Sequence, residues 1–189
     1  MNNNKPSPIH QAISDRLFKS RIVIISGEIT QDLAGSVISQ FMALTSASGE
    51  PITLFINSQG GHVESGDTIH DFIRFVDAKV RIVGTGWVGS AAALIYLAAP
   101  VEDRFCLPNT RFLLHQPSGG IRGSGSDIAI EADQIVQIRR RINEIIARQT
   151  DQPLEKVEED TKRNFWLNAE EAVEYGVVGH IVDHVSEVN

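Results

Sequence analysis

Three short stretches of this 189-residue chain carry residue types that could perform acyl transfer. Ser90 stands at the front of the small, apolar run VGSAAALIYLAA, behind three glycines, and His115 ends the run RFLLH. A third stretch, NSQGG, ends in the pair Gly60-Gly61. Acyl transfer needs a hydroxyl, a base that takes its proton, and backbone N–H groups that stabilise the developing oxyanion. These types suggest Ser90 as nucleophile, His115 as general base and the glycine pair as oxyanion-binding backbone.

Each of these residues also has a purely structural interpretation. A serine in an alanine-rich run usually packs in a helix, a single histidine after a strand usually serves the fold, and a glycine pair can form a plain turn. Nucleophiles are identified by their partners and geometry, which residue types alone do not show. The elements that position these residues therefore decide between the interpretations.

Apolar periodicity predicts strands that alternate with helices along the chain. Helical spacing covers residues 10–19, 31–47, 63–76 and 88–99, and strand-like runs cover 21–26, 52–57, 80–86, 104–108 and 111–115. Because the strand runs are apolar throughout, we predict an α/β fold with a mostly parallel sheet covered on both faces. In such sheets ligands bind beyond the carboxyl ends of the strands, where the three candidate stretches fall.

No internal repeat or second domain is evident in the sequence. We therefore predict a single domain over residues 10–189, preceded by a polar, proline-containing arm of residues 1–9 that we expect to be flexible.

A glycine- and serine-rich stretch, PSGGIRGSGS at residues 117–126, precedes a long predicted helix. The stretch is either a mobile loop or an extended segment that another backbone, such as a peptide substrate, can approach closely. The helix is predicted over 127–149, capped by Ser126 or Asp127, and is roughly 35 Å long at 1.5 Å per residue. Isoleucines mark one of its faces, which we expect to be buried in a neighbouring subunit.

Composition excludes several classes of protein. The net charge is −7 with scattered Lys and Arg, which argues against nucleic acid as a partner. The longest apolar run is too short to span a bilayer, and the N-terminus MNNNKPSPIH lacks the apolar segment of a signal peptide. The single cysteine, Cys106, excludes an internal disulfide framework and is typical of a reducing compartment, so we predict a cytoplasmic protein without a membrane partner.

A metal site is not predicted. His62, Glu64, Asp67 and His70 cluster in sequence, but the two histidines are not an i,i+4 pair of the kind that holds zinc. The run GTGWVG has the wrong glycine spacing for a dinucleotide loop.

Five segments together resemble, in order, the proteolytic subunit family of the ATP-dependent Clp protease (ClpP), from about residue 10 to residue 185. They are INSQGGHVESGDTIHDFI, GSAAALIYLAA, RFCLPNTRFLLHQPSGG, GSGSDIAIEADQI and RRINEIIARQTDQPLEKVEEDTKRNFWLNAEEAVEYGVV. The sequence separation of Ser90 and His115 also equals that of the family.

This resemblance implies a ClpP/crotonase-like fold of repeated β-β-α units with a protruding handle over about 118–149. It implies a barrel-shaped serine endopeptidase of two stacked seven-membered rings, or of rings mixed with a paralogue. An AAA+ unfoldase of the ClpX, ClpA or ClpC type would feed it unfolded chains. The subunit itself would need no cofactor, since the unfoldase uses the ATP.

The resemblance also assigns roles residue by residue. Ser90 matches the nucleophile and His115 the general base, and the backbone N–H groups of Gly61 and Ala91 match the oxyanion hole. The segment matching the substrate-lining strand contributes Gly119, Gly120, Ile121 and Gly123 as substrate-binding residues.

The sequence departs from the family pattern at several positions. Asn164 stands where the triad usually has Asp, and Lys162 where an acidic residue is common. Gln59 replaces a usual proline, and Thr53 and Phe55 stand where tyrosines often line the unfoldase-docking pocket. An asparagine can orient the histidine and fix its tautomer but supplies no charge for the imidazolium.

Three functions therefore remain open at the level of sequence. The first is a serine endopeptidase with a Ser-His-Asn triad, and the second is a weakly active or structural paralogue that completes a mixed ring. In the second, Asn164 could be a turn residue before FWLNAEEA. The third, an acyl-CoA enzyme of the crotonase type, is disfavoured because the chain is short and a Ser/His pair at this separation has no role there.

Overall fold

The structure, a computed structural model, describes residues 7–117, 120 and 122–188. Its helices are α1 (Pro8–Lys19), α2 (Gln31–Ala47), α3 (Val63–Phe75), α4 (Ala91–Tyr96), α5 (Gly125–Thr150), α6 (Leu154–Asp160) and α7 (Ala169–Tyr175). Its strands are β1 (Ile22–Ile29), β2 (Ile52–Gly61), β3 (Val80–Gly89), β4 (Arg104–Cys106), β5 (Arg111–Leu114), β6 (Phe165–Leu167) and β7 (His180–Ile181). Short 3₁₀ turns span Val101–Asp103 and Val185–Val188. No helix in the described ranges is long and apolar enough to cross a bilayer.

The strands form one sheet in the order β1-β2-β3-β4-β7, and these neighbours are parallel. The sheet branches at β3, whose first half pairs with β4 and whose second half pairs with β5. Beyond β5 lies β6, which is antiparallel to it. The predicted α/β fold with a mostly parallel sheet is thus confirmed.

A bulge in β3 causes this change of partner. Ile56 pairs with Gly84, but Ser58 pairs with Val88, so three residues of β3 lie opposite the single Asn57 of β2. The Asn57 side chain fills the bulge, where its Oδ1 accepts a hydrogen bond of 3.2 Å from the backbone N–H of Trp87. Bulges bend a strand and increase its twist, so the end of β3 turns away from β4 towards β5.

The hydrophobic core lies on one face of the sheet, under α2, α3 and α4. Burial alternates along β2, and Ile24 on β1 is half exposed. A smaller cluster on the opposite face joins Val83, Phe105 and Val182 with Val188. The expectation that both faces are covered is therefore wrong for β1 and β2 within the single chain, because the helices pack on one side of these strands.

Two helix starts differ from the sequence expectation. Helix α5 is capped by Ser124, not by Ser126 or Asp127, because Ser124 and Asp127 form a reciprocal capping box before the glycine at the first helical position. Helix α1 begins at Pro8 behind the cap residue Ser7, so the predicted arm is at least two residues shorter.

Helix α5 has two different halves. Towards its C-terminus Ile142, Ile145 and Ile146 are buried in the core of their own chain, which corrects the expectation that the whole isoleucine face meets a neighbouring subunit. Towards its N-terminus the helix is exposed, and the side chains of Ile130 and Val136 are 60% and 65% exposed.

Arg104 ties the C-terminal ends of two helices together. Its buried guanidinium donates hydrogen bonds to the carbonyl of Gln149 near the end of α5, and to those of Gly176 and Val177 after α7. Carbonyls at helix ends lack partners within the helix, and a cation there complements the helix dipole. Two residues further along β4, burial raises the pKa of the Cys106 thiol to about 12.

Candidate active site

Ser90 sits in a strained turn between β3 and α4. Its backbone has φ 54° and ψ −124°, a conformation that residues other than glycine rarely adopt. The turn is held by a 2.9 Å hydrogen bond from the Ser90 N–H to the Leu113 carbonyl on β5. A serine on a sharp, strained strand-to-helix turn is a known way to expose a nucleophilic hydroxyl. This geometry favours the catalytic interpretation of Ser90 over a packing role.

The three candidate triad residues lie at the ends of neighbouring strands. Ser90 follows β3, His115 follows β5, and Asn164 precedes β6. Leu114 pairs with Phe165, so extending the antiparallel register by one residue sets His115 opposite Asn164. Ser90 and His115 line one recess, and His115 and Asn164 line the next. Within the described ranges, their side chains make no hydrogen bond to one another.

The His115 ring is half buried, and this burial lowers its pKa below the ordinary value. The imidazole is therefore neutral near pH 7, as a general base must be before it takes a proton.

Gln116 holds the segment before Asn164 beside His115. Its backbone N–H donates to the Thr161 carbonyl and its side chain donates to the Lys162 carbonyl, each at 2.8 Å. The buried Thr161 hydroxyl in turn lies 3.0 Å from Oδ1 of Asn143 on α5. Sequence reasoning missed these residues, although a polar side chain between His115 and Pro117 was a possible signal.

The glycine pair approaches the serine turn through Gly60. A Cβ on Gly60 would lie 2.6 Å from the Ser90 Cβ, 2.7 Å from the Gly89 carbonyl oxygen and 3.0 Å from the Ala91 nitrogen. Gly61 instead packs against β1, where a Cβ would lie 2.4 Å from the Ile29 carbonyl oxygen. Both positions require glycine, and the contact with the Ser90 turn is made by Gly60.

Ala91 is the first residue of α4, so its N–H has no acceptor within the helix and is free to receive an oxyanion. Of the four predicted substrate-binding residues, Gly120 is exposed and Gly123 lies beside Asp127, in neither a helix nor a strand. Gly119 and Ile121 lie outside the described residues.

The recess beside Ser90 and His115 is apolar and is closed at its base by α5. Its other lining residues are Val63, Ala91, Leu94, Leu114, Pro117, Ile142 and Ile146. A lining of this kind favours contact with apolar groups and disfavours charged ones.

The histidine and acidic residues at the start of α3 have partners within the protein. His62 contacts Ser65 at 2.8 Å and Glu64 at 3.2 Å, and Asp67 pairs with Arg141. Over the part of the chain that the structure describes, no three such groups converge as metal ligands would.

Comparison with known proteins identifies the family of the chain. The family model described as Clp protease matches residues 5–185. The chain belongs to the Clp protease family. It is 56% identical to the ATP-dependent Clp protease proteolytic subunit 3 of Rhizobium meliloti, over 96% of this chain and 93% of that protein. It is 50% identical to proteolytic subunit 2 of Pseudomonas aeruginosa, over 95% of this chain and 91% of that one.

Solved Clp protease structures share the fold. ClpP1 from Listeria monocytogenes is 48% identical with a TM-score of 0.85 and covers 94% of this chain and 99% of its own. An asparagine-to-aspartate mutant of that ClpP1 is 50% identical with a TM-score of 0.88 and the same coverage. The chain is thus a serine endopeptidase of the Clp protease type, and the crotonase-type alternative is excluded.

The first prediction concerns the close approach of Gly60. In Gly60→Ala the new methyl lies 2.6 Å from the Ser90 Cβ and 2.7 Å from the Gly89 carbonyl oxygen, at a residue with φ 99°. The Ser90 turn must therefore shift, and we expect fluorophosphonate labelling of Ser90 to slow by about a hundredfold, since small misplacements at a reacting centre cost this much. Labelling is measured by mass spectrometry of the tryptic peptide.

Gly35→Ala is the matched control, because Gly35 lies in α2 with open space around it. We expect unchanged labelling and a gain of about 0.5–1 kcal/mol in the free energy of unfolding. Labelling of Gly60→Ala at the parent rate would show that the contact does not position Ser90.

Proposed function

We propose that this Clp protease subunit cleaves unfolded polypeptides through a Ser90-His115-Asn164 triad. His115 takes the proton of the Ser90 hydroxyl as its oxygen attacks the peptide carbonyl. The resulting oxyanion accepts hydrogen bonds from the backbone N–H groups of Ala91 and Gly61. The Gly60 N–H is not available, because it donates to the Ser58 hydroxyl at 3.0 Å. His115 then protonates the departing amine and leaves an acyl-enzyme. Water, deprotonated by His115, hydrolyses the acyl-enzyme and restores Ser90.

The strained conformation of Ser90 is the observation that carries this proposal. Backbone strain of this kind costs of order 1–3 kcal/mol and persists at functional sites where the surrounding structure holds it. Here the turn directs Ser90 into the recess that it shares with His115. A packing role for Ser90 would not need this cost.

Asn164 is proposed as the third member of the triad because the antiparallel register of β5 and β6 sets it opposite His115. Its amide oxygen can accept the Nδ1–H of His115, which orients the ring and fixes its tautomer. It gives the imidazolium no negative charge, so we propose a slower enzyme than one with aspartate.

Substrate binding is proposed in two parts. An apolar side chain on the acyl side of the cleaved bond packs against the apolar lining of the recess beside Ser90. The glycine-rich segment with Gly119, Gly120, Ile121 and Gly123 takes the substrate backbone as an added strand, since missing side chains permit close approach.

Assembly is proposed through the exposed half of α5. Ile128, Ile130 and Val136 are all exposed on this half, and an exposed surface with several large apolar side chains often marks an interface. We propose two stacked seven-membered rings, pure or mixed with a paralogue, in the cytoplasm. Similar relatives are named as ATP-dependent proteases, which supports an AAA+ unfoldase as the partner that uses ATP.

The function is tested by Ser90→Ala. Without the hydroxyl no acyl-enzyme forms, so peptide hydrolysis and fluorophosphonate labelling should fall to background, about 10⁴-fold or more below the parent enzyme. The control is Ser39→Ala, which removes an exposed hydroxyl from α2. Peptidase activity retained in Ser90→Ala would reject the nucleophile assignment.

A pH profile tests Asn164. Burial keeps the His115 pKa low in the parent protein, so the acidic limb of kcat/KM lies below pH about 6.5. In Asn164→Asp a nearby carboxylate favours the imidazolium and raises this pKa. The acidic limb should therefore move to higher pH, while the rate at neutral to alkaline pH rises roughly tenfold to a hundredfold.

Asn168→Asp is the matched control, because Asn168 caps α7 and aspartate caps equally well. Neither the acidic limb of the kcat/KM profile nor the rate at neutral pH should change in this variant. An Asn164→Asp profile identical to that of the parent would mean that Asn164 does not face His115, as in a subunit that depends on a paralogue for activity.

Assembly is tested by Val136→Asp, which places a charge on the exposed half of α5. We expect sedimentation velocity to show dissociation into single rings or smaller species, because an unpaired charge is costly in an apolar interface. Gln137→Asp adds the same charge at the neighbouring exposed position and should leave assembly intact. A parent protein that sediments as a stable monomer would overturn this part of the proposal.

A further inference from the structure

Both tryptophans of the chain lie together beside the candidate triad. Trp87 stands on β3 three residues before Ser90, and Trp166 stands on β6 two residues after Asn164. Their ring centroids are 5.7 Å apart with an interplanar angle of 40°. The Arg111 guanidinium on β5 lies over the Trp166 ring, 4.3 Å from its centroid. Aromatic pairs and cation–π contacts of this geometry are attractive.

This stack lies outside the core. Val88, Phe112 and Leu167 on the same strands are buried, whereas Trp87 and Trp166 are 41% and 36% exposed. Side chains alternate between the faces of a strand, so Trp166 shares its face with Asn164, and Arg111 shares its face with His115. The stack and the candidate histidine–asparagine pair therefore occupy the same face of β5 and β6.

On its core face, strand β6 is held by Leu167, which is buried, and by Phe165, whose ring packs on Tyr175. The strand is three residues long and, among the described strands, pairs only with β5. The Trp87–Trp166 contact crosses β5 and joins β6 directly to β3. At its other end the Trp87 indole lies over Gly89, where a Cβ would be 2.7 Å from Nε1. A continuous line of contacts thus runs from the residue before Ser90 to the strand after Asn164.

We infer that Trp87, Trp166 and Arg111 are positioning residues, an aromatic clamp that fixes Asn164 relative to His115. The inference rests on the proposed triad. It follows from what asparagine can do: a neutral amide helps the histidine only through a directional hydrogen bond, which weakens steeply with misalignment. A carboxylate would also act through its charge, which falls off slowly with distance. A triad with asparagine therefore depends more strongly on the position of its strand.

The test is a double-mutant cycle between Trp166 and Asn164. In the parent background, Trp166→Leu should lower kcat about tenfold with little change in KM, because Asn164 shifts while the apolar recess is untouched. In the Asn164→Asp background the same change should cost about threefold or less. In the Asn164→Ala background it should cost nothing, since there is no amide left to position.

Three controls separate positioning from folding. Trp166→Phe keeps an aromatic ring and should retain most of the parent kcat. Phe75→Leu removes another exposed aromatic ring, at the end of α3, and should leave kcat unchanged. Because the chain has two tryptophans, the exciton-coupled circular dichroism of the indole pair reports the stack directly, and either Trp87→Leu or Trp166→Leu should abolish it.

Three outcomes would overturn the clamp, and the third would also remove the triad assignment on which it rests. Parent-like kcat in Trp166→Leu, with the exciton signal lost, would show that the stack positions nothing. An equal loss of kcat in the parent and Asn164→Ala backgrounds would show that Trp166 supports the fold or Ser90 and not Asn164. If Asn164→Ala alone matches the parent, the triad assignment fails and the clamp fails with it, whereas Ser90→Ala still tests the peptidase itself.

Discussion

The Ser90 turn can exist only where another backbone comes close to it without a side chain. Its φ of 54° brings the start of α4 back over the end of β3, and the end of β2 fills the space beneath. A methyl group on Gly60 would overlap both the serine and the Gly89 carbonyl. The strand that supplies Gly60 is also held by β1 through Gly61, so two adjacent glycines serve two different neighbours. The nucleophile is thereby fixed by the sheet and not by its own helix.

The same sheet gathers the other two candidate residues. In a parallel sheet, ligands bind beyond the carboxyl ends of the strands. Here the bulge opposite Asn57 extends this region by turning the end of β3 towards β5. Strand β6 then runs antiparallel, so Asn164 arrives at this region from the start of its strand while Ser90 and His115 arrive from the ends of theirs. Gln116 closes the arrangement, since it bonds the segment that leads into β6.

The sequence predicts the helices and strands better than it predicts the contacts between them. Helix α2 has the boundaries expected from its periodicity, because Thr30 caps a regular apolar pattern. Strands β2 and β3 are longer than expected. Their glycines look like turn residues in the sequence, but they continue the strand pairing with positive φ angles that glycine readily adopts. The helix after Ser90 is shorter, since the start of the apolar run belongs to β3. The lengths of β2 and β3 and the start of α4 therefore depend on partner strands, which the local pattern does not show.

In the candidate site, too, single residues could be predicted from the sequence but the contacts between them could not. Ser90 and His115 were suggested by type and by their place after strands, whereas Asn164 came from a family resemblance. The approach of Gly60 to Ser90, the bonds of Gln116 and the stacking of Trp87 on Trp166 join residues far apart in the chain. Such contacts depend on strand order and on the β3 bulge, which periodicity does not encode.

The single thiol of the chain, on Cys106, can report the opening of the sheet. Cys106 lies on β4 between β3 and β7, fully buried, with a pKa of about 12. A thiol reagent needs both access and the thiolate, so it can react only when these strands separate. The rate of modification under native conditions therefore reports the opening of this branch of the sheet, without a change to the sequence. A cysteine introduced elsewhere on the surface would be modified first, which makes the natural chain a ready background for site-specific labels.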